Sequence, residues 1–212
     1  FNRMHAPVLT KLPGIGRRVT YNTDMQVAEK NRDRWGFDRV YADFDRMLEA
    51  EAPDCVYVFT PHEYTAGYAI RLIAAGIPAF VEKPAADTPE SLRELLAVYR
   101  EHRTPHLIGF NRRFSPIIAQ MKRLIAGATG LSHLSVEFLR HDVTAPGPYM
   151  GSALHGVDTI RHLIGDIDTI TTVSSDTTYF DKKRVSYTGV FRFCSGASGI
   201  LDYHCRAGRP SE

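Results

Sequence analysis

Four short stretches carry residue types that can do chemistry. Asp24 closes the apolar run Val19-Thr20-Tyr21-Asn22 and stands directly before a helical pattern. In a dinucleotide-binding sheet, an acid at that place accepts hydrogen bonds from the adenosine ribose hydroxyls and repels a 2′-phosphate. The same residue type is an ordinary helix N-cap, and position alone leaves both roles open. Thr60-Pro61 ends the run Asp54–Phe59, where ligands bind in open α/β sheets and where a plain turn is equally at home. Glu82-Lys83-Pro84 directly follows the run Pro78–Val81. Pro84 restricts the backbone of Lys83 to extended conformations and so aims its side chain out of the strand end. A solvated lysine is the alternative, but a charged pair at a strand terminus in a crevice is a site candidate.

The fourth stretch is the helical pattern over 152–164. At 100° per residue Leu154, Val157, Ile160 and Ile164 share one side, and His155, Asp158, Thr159 and His162 gather on the opposite one. That polar face is either solvated or functional. A histidine with an acid one turn away can serve as a general base near neutral pH. A metal held by His155, Asp158 and His162 is not expected, because i, i+3, i+7 spans two turns and no cysteine or further glutamate lies near in sequence.

The elements that must position these groups follow from period and punctuation. Residues 1–12 read as the tail of a helix stopped at Pro13-Gly14, and Met25–Trp35 as a helix closed by Gly36. The run Asp54–Phe59 reads as a parallel strand buried on both faces. A helix over Glu63–Ala75 and the strand Pro78–Val81 follow. Next comes a helix capped by Thr88 with Pro89 at its first position and Leu92, Leu95, Leu96 and Tyr99 on one face, and then the strand His106–Phe110. Such alternation argues for a doubly wound α/β sheet. From Ser115-Pro116 the pattern changes: a helix, a long strand alternating at Leu134, Val136 and Phe138, the helix 152–164, and strands at 169–174, 185–194 and 199–205. The last two read as an antiparallel hairpin. This half is α+β with an open, mainly antiparallel sheet. The boundary near residues 111–116 gives a dinucleotide-binding domain over 1–112 and a second domain over 113–212.

Composition bounds the rest. The chain has 212 residues, 43% hydrophobic and 24% charged, with a formal net charge of +2 from interspersed charges. Disorder, a nucleic-acid stripe and an acidic tail are excluded as expectations. The longest apolar stretches fall short of the roughly 18 residues of a membrane span. Cys55, Cys194 and Cys205 lack metal-like spacing and favour a reducing, cytoplasmic compartment. No signal peptide is read.

Taken in order, His5-Ala6-Pro7-Val8-Leu9, Asp24, Thr60-Pro61, Val81-Glu82-Lys83-Pro84, Gly109-Phe110-Asn111-Arg112-Arg113-Phe114 and His155-x-x-Asp158-x-x-Arg161-x-Leu163-x-Gly165 resemble the Gfo/Idh/MocA family of NAD(P)-dependent oxidoreductases. The resemblance covers essentially the whole chain. It implies a Rossmann-like doubly wound sheet followed by an α+β domain, and hydride transfer between a nicotinamide and a carbon-bound hydroxyl of a sugar, polyol or related compound. It also implies residue roles. His155 is the general base, and Lys83 hydrogen-bonds the reacting oxygen. Asp158 orients the substrate or His155, and Asn111 and Arg112 line the substrate pocket. Asp24, Thr60, Pro61, Glu82 and Lys83 meet the cofactor.

NAD is expected over NADP, since Asp24 opposes a 2′-phosphate unless Arg17 or Arg18 compensates. The expected partners are a small-molecule substrate and a second copy of the chain through the open sheet, with no nucleic acid, membrane or metal. Two other classes stay open: a glycosidase of the same fold using NAD transiently, and a dinucleotide- and sugar-binding regulator, which has no need of Lys83 and His155.

The chain departs from the family at Gly151, where an Asp is common four residues before the histidine, at Ala153, where Gly is frequent, and at Thr65, where the T-P-x-x-x-H stretch often ends in His. The Gly-rich loop about twenty residues before the acid is absent, and Gly14-Ile15-Gly16 does not fit it. The chain, which opens on Phe1, therefore reads as an internal piece of a longer protein, expected to fold poorly and to bind no dinucleotide by itself.

Overall fold

The computed structural model describes residues 5–127, 130–139, 153–179 and 182–204; side-chain surroundings are described for all of these except 176–184. The first half contains helix α1 (Ala6–Leu9), strand β1 (Val19–Tyr21), α2 (Met25–Trp35), β2 (Arg39–Tyr41) and α3 (Phe44–Glu51). It continues with β3 (Val56–Val58), α4 (His62–Ala74), β4 (Ala79–Val81), α5 (Pro89–His102) and β5 (His106–Ile108). Every strand pairing here is parallel, in two pieces: β1-β2, and β3-β4-β5. The two pieces share one core, in which Phe44, Met47, Val58, Leu72, Ile73, Val81 and Leu95 are buried and Val19 and Tyr21 pack against them.

Local signals set these elements. Asp24 caps α2, accepting from the amides of Gln26 (2.9 Å) and Val27 (3.4 Å), and Gly36 ends the helix at φ 67°, a left-handed turn that glycine adopts without strain. Thr88 and Ser91 form a reciprocal capping box at the start of α5. Three expectations are corrected. The segment β2–α3 is additional to the elements expected from period. Strand β3 is not buried on both faces: Val58 is buried, whereas Tyr57 keeps 40% exposure and its row-mate Leu107 on β5 keeps 50%. On α5 only Leu95 of the expected stripe is buried, with Leu92 and Leu96 above 40% exposed.

Beyond β5 a single 3₁₀ turn (Asn111–Phe114) leads into α6 (Pro116–Ala126), β6 (His133–Leu139), α7 (Leu154–Ile164), β7 (Ile167–Tyr179), β8 (Lys182–Phe193) and β9 (Ser198–His204). The sheet order is β6-β9-β8-β7, with β6-β9 parallel and the other two pairs antiparallel, including the expected β8-β9 hairpin. Alternation decides the faces. Phe191, Phe193, Leu201 and Tyr203 are buried on the side that α7 covers with Ile160, while Val173 and Val190 on the other side are 64% and 48% exposed. Gly156 lets α7 approach this sheet closely: a Cβ there would stand 2.8 Å from Leu201 Cδ1. No helix among the described residues is long and apolar enough to cross a membrane.

Candidate active site at the carboxyl edge of the parallel sheet

The register of the first sheet aligns the candidate residues. Val58, Val81 and Ile108 are partners across β3, β4 and β5. The pairing runs one residue further, because the Glu82 amide donates to the Val58 carbonyl (3.0 Å) and the Gly109 amide to the Val81 carbonyl (2.8 Å). Phe59, Glu82 and Gly109 therefore form a row at the carboxyl edge, and Thr60, Lys83 and Phe110 come one residue later. Neighbouring strands lie about 5 Å apart, so these three backbones emerge side by side from one edge. The Lys83-Pro84 peptide is cis.

Each position has a local anchor. Thr60 Oγ1 lies 3.1 Å from Thr65 Oγ1, and Thr65, 1% exposed, also donates to the Pro61 carbonyl (3.3 Å). Thr65 thus braces the Thr60-Pro61 turn from the first turn of α4. Glu82 faces His5, with Nε2 to Oε2 at 3.6 Å, and the His5 ring lies against Phe59 at 4.5 Å between centroids. Burial pushes His5 below the ordinary histidine range, against the opposing pull of Glu82. Gly109 makes room for its neighbours, since a Cβ there would come within 2.9 Å of Glu82 Oε2 and 3.1 Å of Phe80 Cζ.

The second half reaches this edge through α7. The Phe110 ring meets the His155 ring edge to face at 6.3 Å, which places His155 beside the row that holds Lys83. Asp158 and Thr159 are 7% and 9% exposed, so the middle of the polar side of α7 is covered, while His155 and His162 are partly buried. The Thr159 hydroxyl donates to the His155 carbonyl (2.7 Å). Asp158 receives Arg113, whose Nε donates to both carboxylate oxygens (3.0 and 2.8 Å) and whose Nη2 adds a further short bond. The Asp158 carboxylate in turn raises the Arg113 guanidinium above its ordinary value. His162 is pushed down by burial first and then by the charges of Arg113 and Lys122. In the 3₁₀ turn, Asn111 is exposed and the Arg112 guanidinium lies 4.6 Å from the centre of the Phe138 ring on β6. Among the described residues no three His, Cys, Asp or Glu side chains form a group able to hold a metal. Gly151 lies outside the described residues; Ala153 is buried at 1%.

Asp24 stands past the carboxyl end of β1, on the other parallel piece, and in this structure its carboxylate serves α2. Arg17 and Arg18 precede β1, so that roughly 13 Å of extended chain separates Arg18 from Asn22 at about 3.3 Å per residue. Arg17 is further committed to Glu51, at 3.2 Å. Sequence reasoning missed Arg113, Phe110 and His5 as parts of the site; all three stand within stretches that carry the resemblance, and the contacts of Arg113 and Phe110 with α7 bridge 45 residues of chain.

The chain thus joins a parallel α/β sheet, with Thr60, Glu82 and Lys83 at its carboxyl edge, to an α+β sheet whose helix α7 carries His155. The family model described as "Oxidoreductase family, NAD-binding Rossmann fold" (GFO_IDH_MocA) matches residues 1–110, and the chain belongs to that family. Inositol 2-dehydrogenase 4 of Saccharopolyspora erythraea is 33% identical over 164 residues, covering 74% of this chain and 48% of that protein. Among solved structures, GenD2 from gentamicin A biosynthesis in complex with NAD superposes with a TM-score of 0.80 at 24% identity, covering 97% of this chain and 63% of that one. Levoglucosan dehydrogenase in complex with NADH and levoglucosan gives 0.78 at 23%, covering 91% and 59%. The chain spans about half the length of the curated relatives it matches and less than two thirds of these solved structures.

Proposed function

We propose that this chain forms the cofactor-binding part and the catalytic helix of an NAD-dependent dehydrogenase that oxidises a secondary hydroxyl of a polyol or sugar. The observation that carries the reading is the meeting of His155 with Phe110 at the edge where Lys83 leaves β4. The names of relatives acting on inositol and levoglucosan support the substrate class. NAD, when bound, supplies the hydride acceptor. The residues suit it chemically: Asp24 accepts from ribose hydroxyls, Thr60, Pro61 and Glu82 line the carboxyl edge, and Gly109 leaves the Glu82 carboxylate room beside β5. His155 takes the hydroxyl proton, and the Lys83 ammonium donates to the same oxygen, favouring the alkoxide as charge develops. Asn111 and Arg112 bound the substrate side. Residues 1–112 would serve the cofactor and 113–212 the substrate, and the apolar outer face around Val173 and Val190 would pair with a second copy.

The test is a panel of polyols and anhydrosugars, including myo-inositol and levoglucosan, offered with NAD to the full-length protein. Net absorbance growth at 340 nm with at least one of them is expected. A protein that cleaves a glycoside without net NADH formation, or that binds NAD without turnover on the whole panel, overturns the proposal.

A further inference from the structure

Arg113 holds none of the roles assigned above, yet it ties α7 to the 3₁₀ turn that directly follows β5, through three hydrogen bonds to one carboxylate. Its fork engages both oxygens of Asp158, whose side chain keeps only 6% exposure. Its guanidinium also lies 5.8 Å from the centre of the Phe110 ring, the ring that meets His155. At the other end of α7, Lys122 Nζ donates to the carbonyls of His162 (2.5 Å) and Leu163 (3.3 Å). The helix is thus gripped at one turn by Arg113 and at its C-terminus by Lys122, both from the segment that follows β5. We propose that Arg113 is a positioning residue: by clamping Asp158 it fixes α7, and with it His155, against the carboxyl edge that carries Lys83.

The chemistry favours positioning over two alternatives. Both carboxylate oxygens of Asp158 are engaged by a guanidinium fork, so its charge is already matched, and a substrate hydroxyl would meet only the remaining lone pairs. Nor is the pair a bond within the helix: Thr159 donates inside α7 to the His155 carbonyl, whereas Arg113 reaches Asp158 from outside it. The pair acts between elements. A bidentate fork fixes distance and angle together, which a lysine point charge does not. Displacement of a catalytic group by about 1 Å costs on the order of a hundredfold in rate.

The inference rests on the assignment of His155 to the reaction, and its test separates the two. In the full-length, NAD-bound enzyme, Arg113→Lys is expected to lower kcat by about 10- to 100-fold with KM for NAD unchanged, and to speed amide hydrogen exchange across residues 154–164. The double variant Arg113→Met/Asp158→Leu leaves no buried charge unpaired and is expected to fold and show the same kcat loss. Wild-type kcat in either folded variant overturns the proposal, as does unchanged exchange over α7. So does a pattern in which Asp158→Asn raises only the substrate KM while Arg113→Lys keeps full kcat. If the wild-type protein oxidises nothing, the proposed function fails and the exchange measurement alone decides on Arg113.

Discussion

Gly156→Ala tests whether the approach of α7 to the second sheet sets the position of His155. The added Cβ would stand 2.8 Å from Leu201 Cδ1 and 3.1 Å from Cδ2, against an ordinary carbon contact of about 3.5–4.0 Å. The shortfall is therefore roughly 0.7–1.2 Å at the closest atom. Leu201, 5% exposed and packed with Ile160, Phe191 and Phe193, has little room to swing aside. Alanine contributes about 1 kcal/mol of helix propensity over glycine, while overpacking costs about 1–3 kcal/mol. The balance is a loss of ~0–2 kcal/mol, or a Tm lower by up to several degrees in a protein of this size. Because His155 is the neighbouring residue, a helix displaced by several tenths of an ångström should lower kcat about 10- to 100-fold. Gly67→Ala is the control: it lies inside α4 with nothing within 4 Å of the added Cβ and should gain up to about 1 kcal/mol. Thermal melts and NADH formation in the full-length protein read both variants. A Gly156→Ala protein as stabilised as the Gly67→Ala control, with full kcat, would refute the packing argument.

The intact protein should prefer NAD to NADP in kcat/KM, and Asp24→Ser should narrow that preference; an NADP preference in the wild type removes Asp24 from the ribose. Thr65→Val, which keeps shape and removes the hydroxyl that braces Thr60 and Pro61, should cost about 1–2 kcal/mol and weaken NAD binding. Calorimetric titration that finds wild-type NAD affinity would show the brace to be dispensable. Burial, aided by the Tyr68 hydroxyl at 2.8 Å, pushes the Tyr21 phenol up to about 12. The folded state holds that proton more tightly than the unfolded chain, so stability is intact below pH of about 10 and declines as pH climbs towards 12. Tyr21→Phe should flatten this alkaline decline in chemical denaturation, and an unchanged slope would contradict the assignment.

Much of this architecture is legible in the amino-acid pattern because caps and periods are local. Asp24, Gly36 and the Thr88-Pro89 pair mark helix ends through bonds made within four residues. Strand β2 escaped because Arg39-Val40-Tyr41 opens on a charged residue and is not part of an apolar run such as Asp54–Phe59, although Asp43 capping α3 left a usable signal. The site divides along the same line. Lys83 and Thr60 could be placed at strand ends from their chain neighbours alone. The burial of Asp158 could not, since Arg113 arrives from 45 residues upstream, and an isolated helical wheel draws the same polar stripe whether water or a guanidinium covers it. Exposure on β3 failed for a related reason: an apolar run shows that both faces can be buried, not that something lies over each.

The central claim is that Lys83 from the first half and His155 from the second act on one hydroxyl. The most direct measurement is steady-state NADH formation by the full-length protein and its Lys83→Met and His155→Ala variants, with calorimetric titration of NAD on each. The expected result is a loss in kcat of about two to four orders of magnitude for each variant, with NAD affinity retained in His155→Ala. Turnover at the wild-type rate in either folded variant would contradict it.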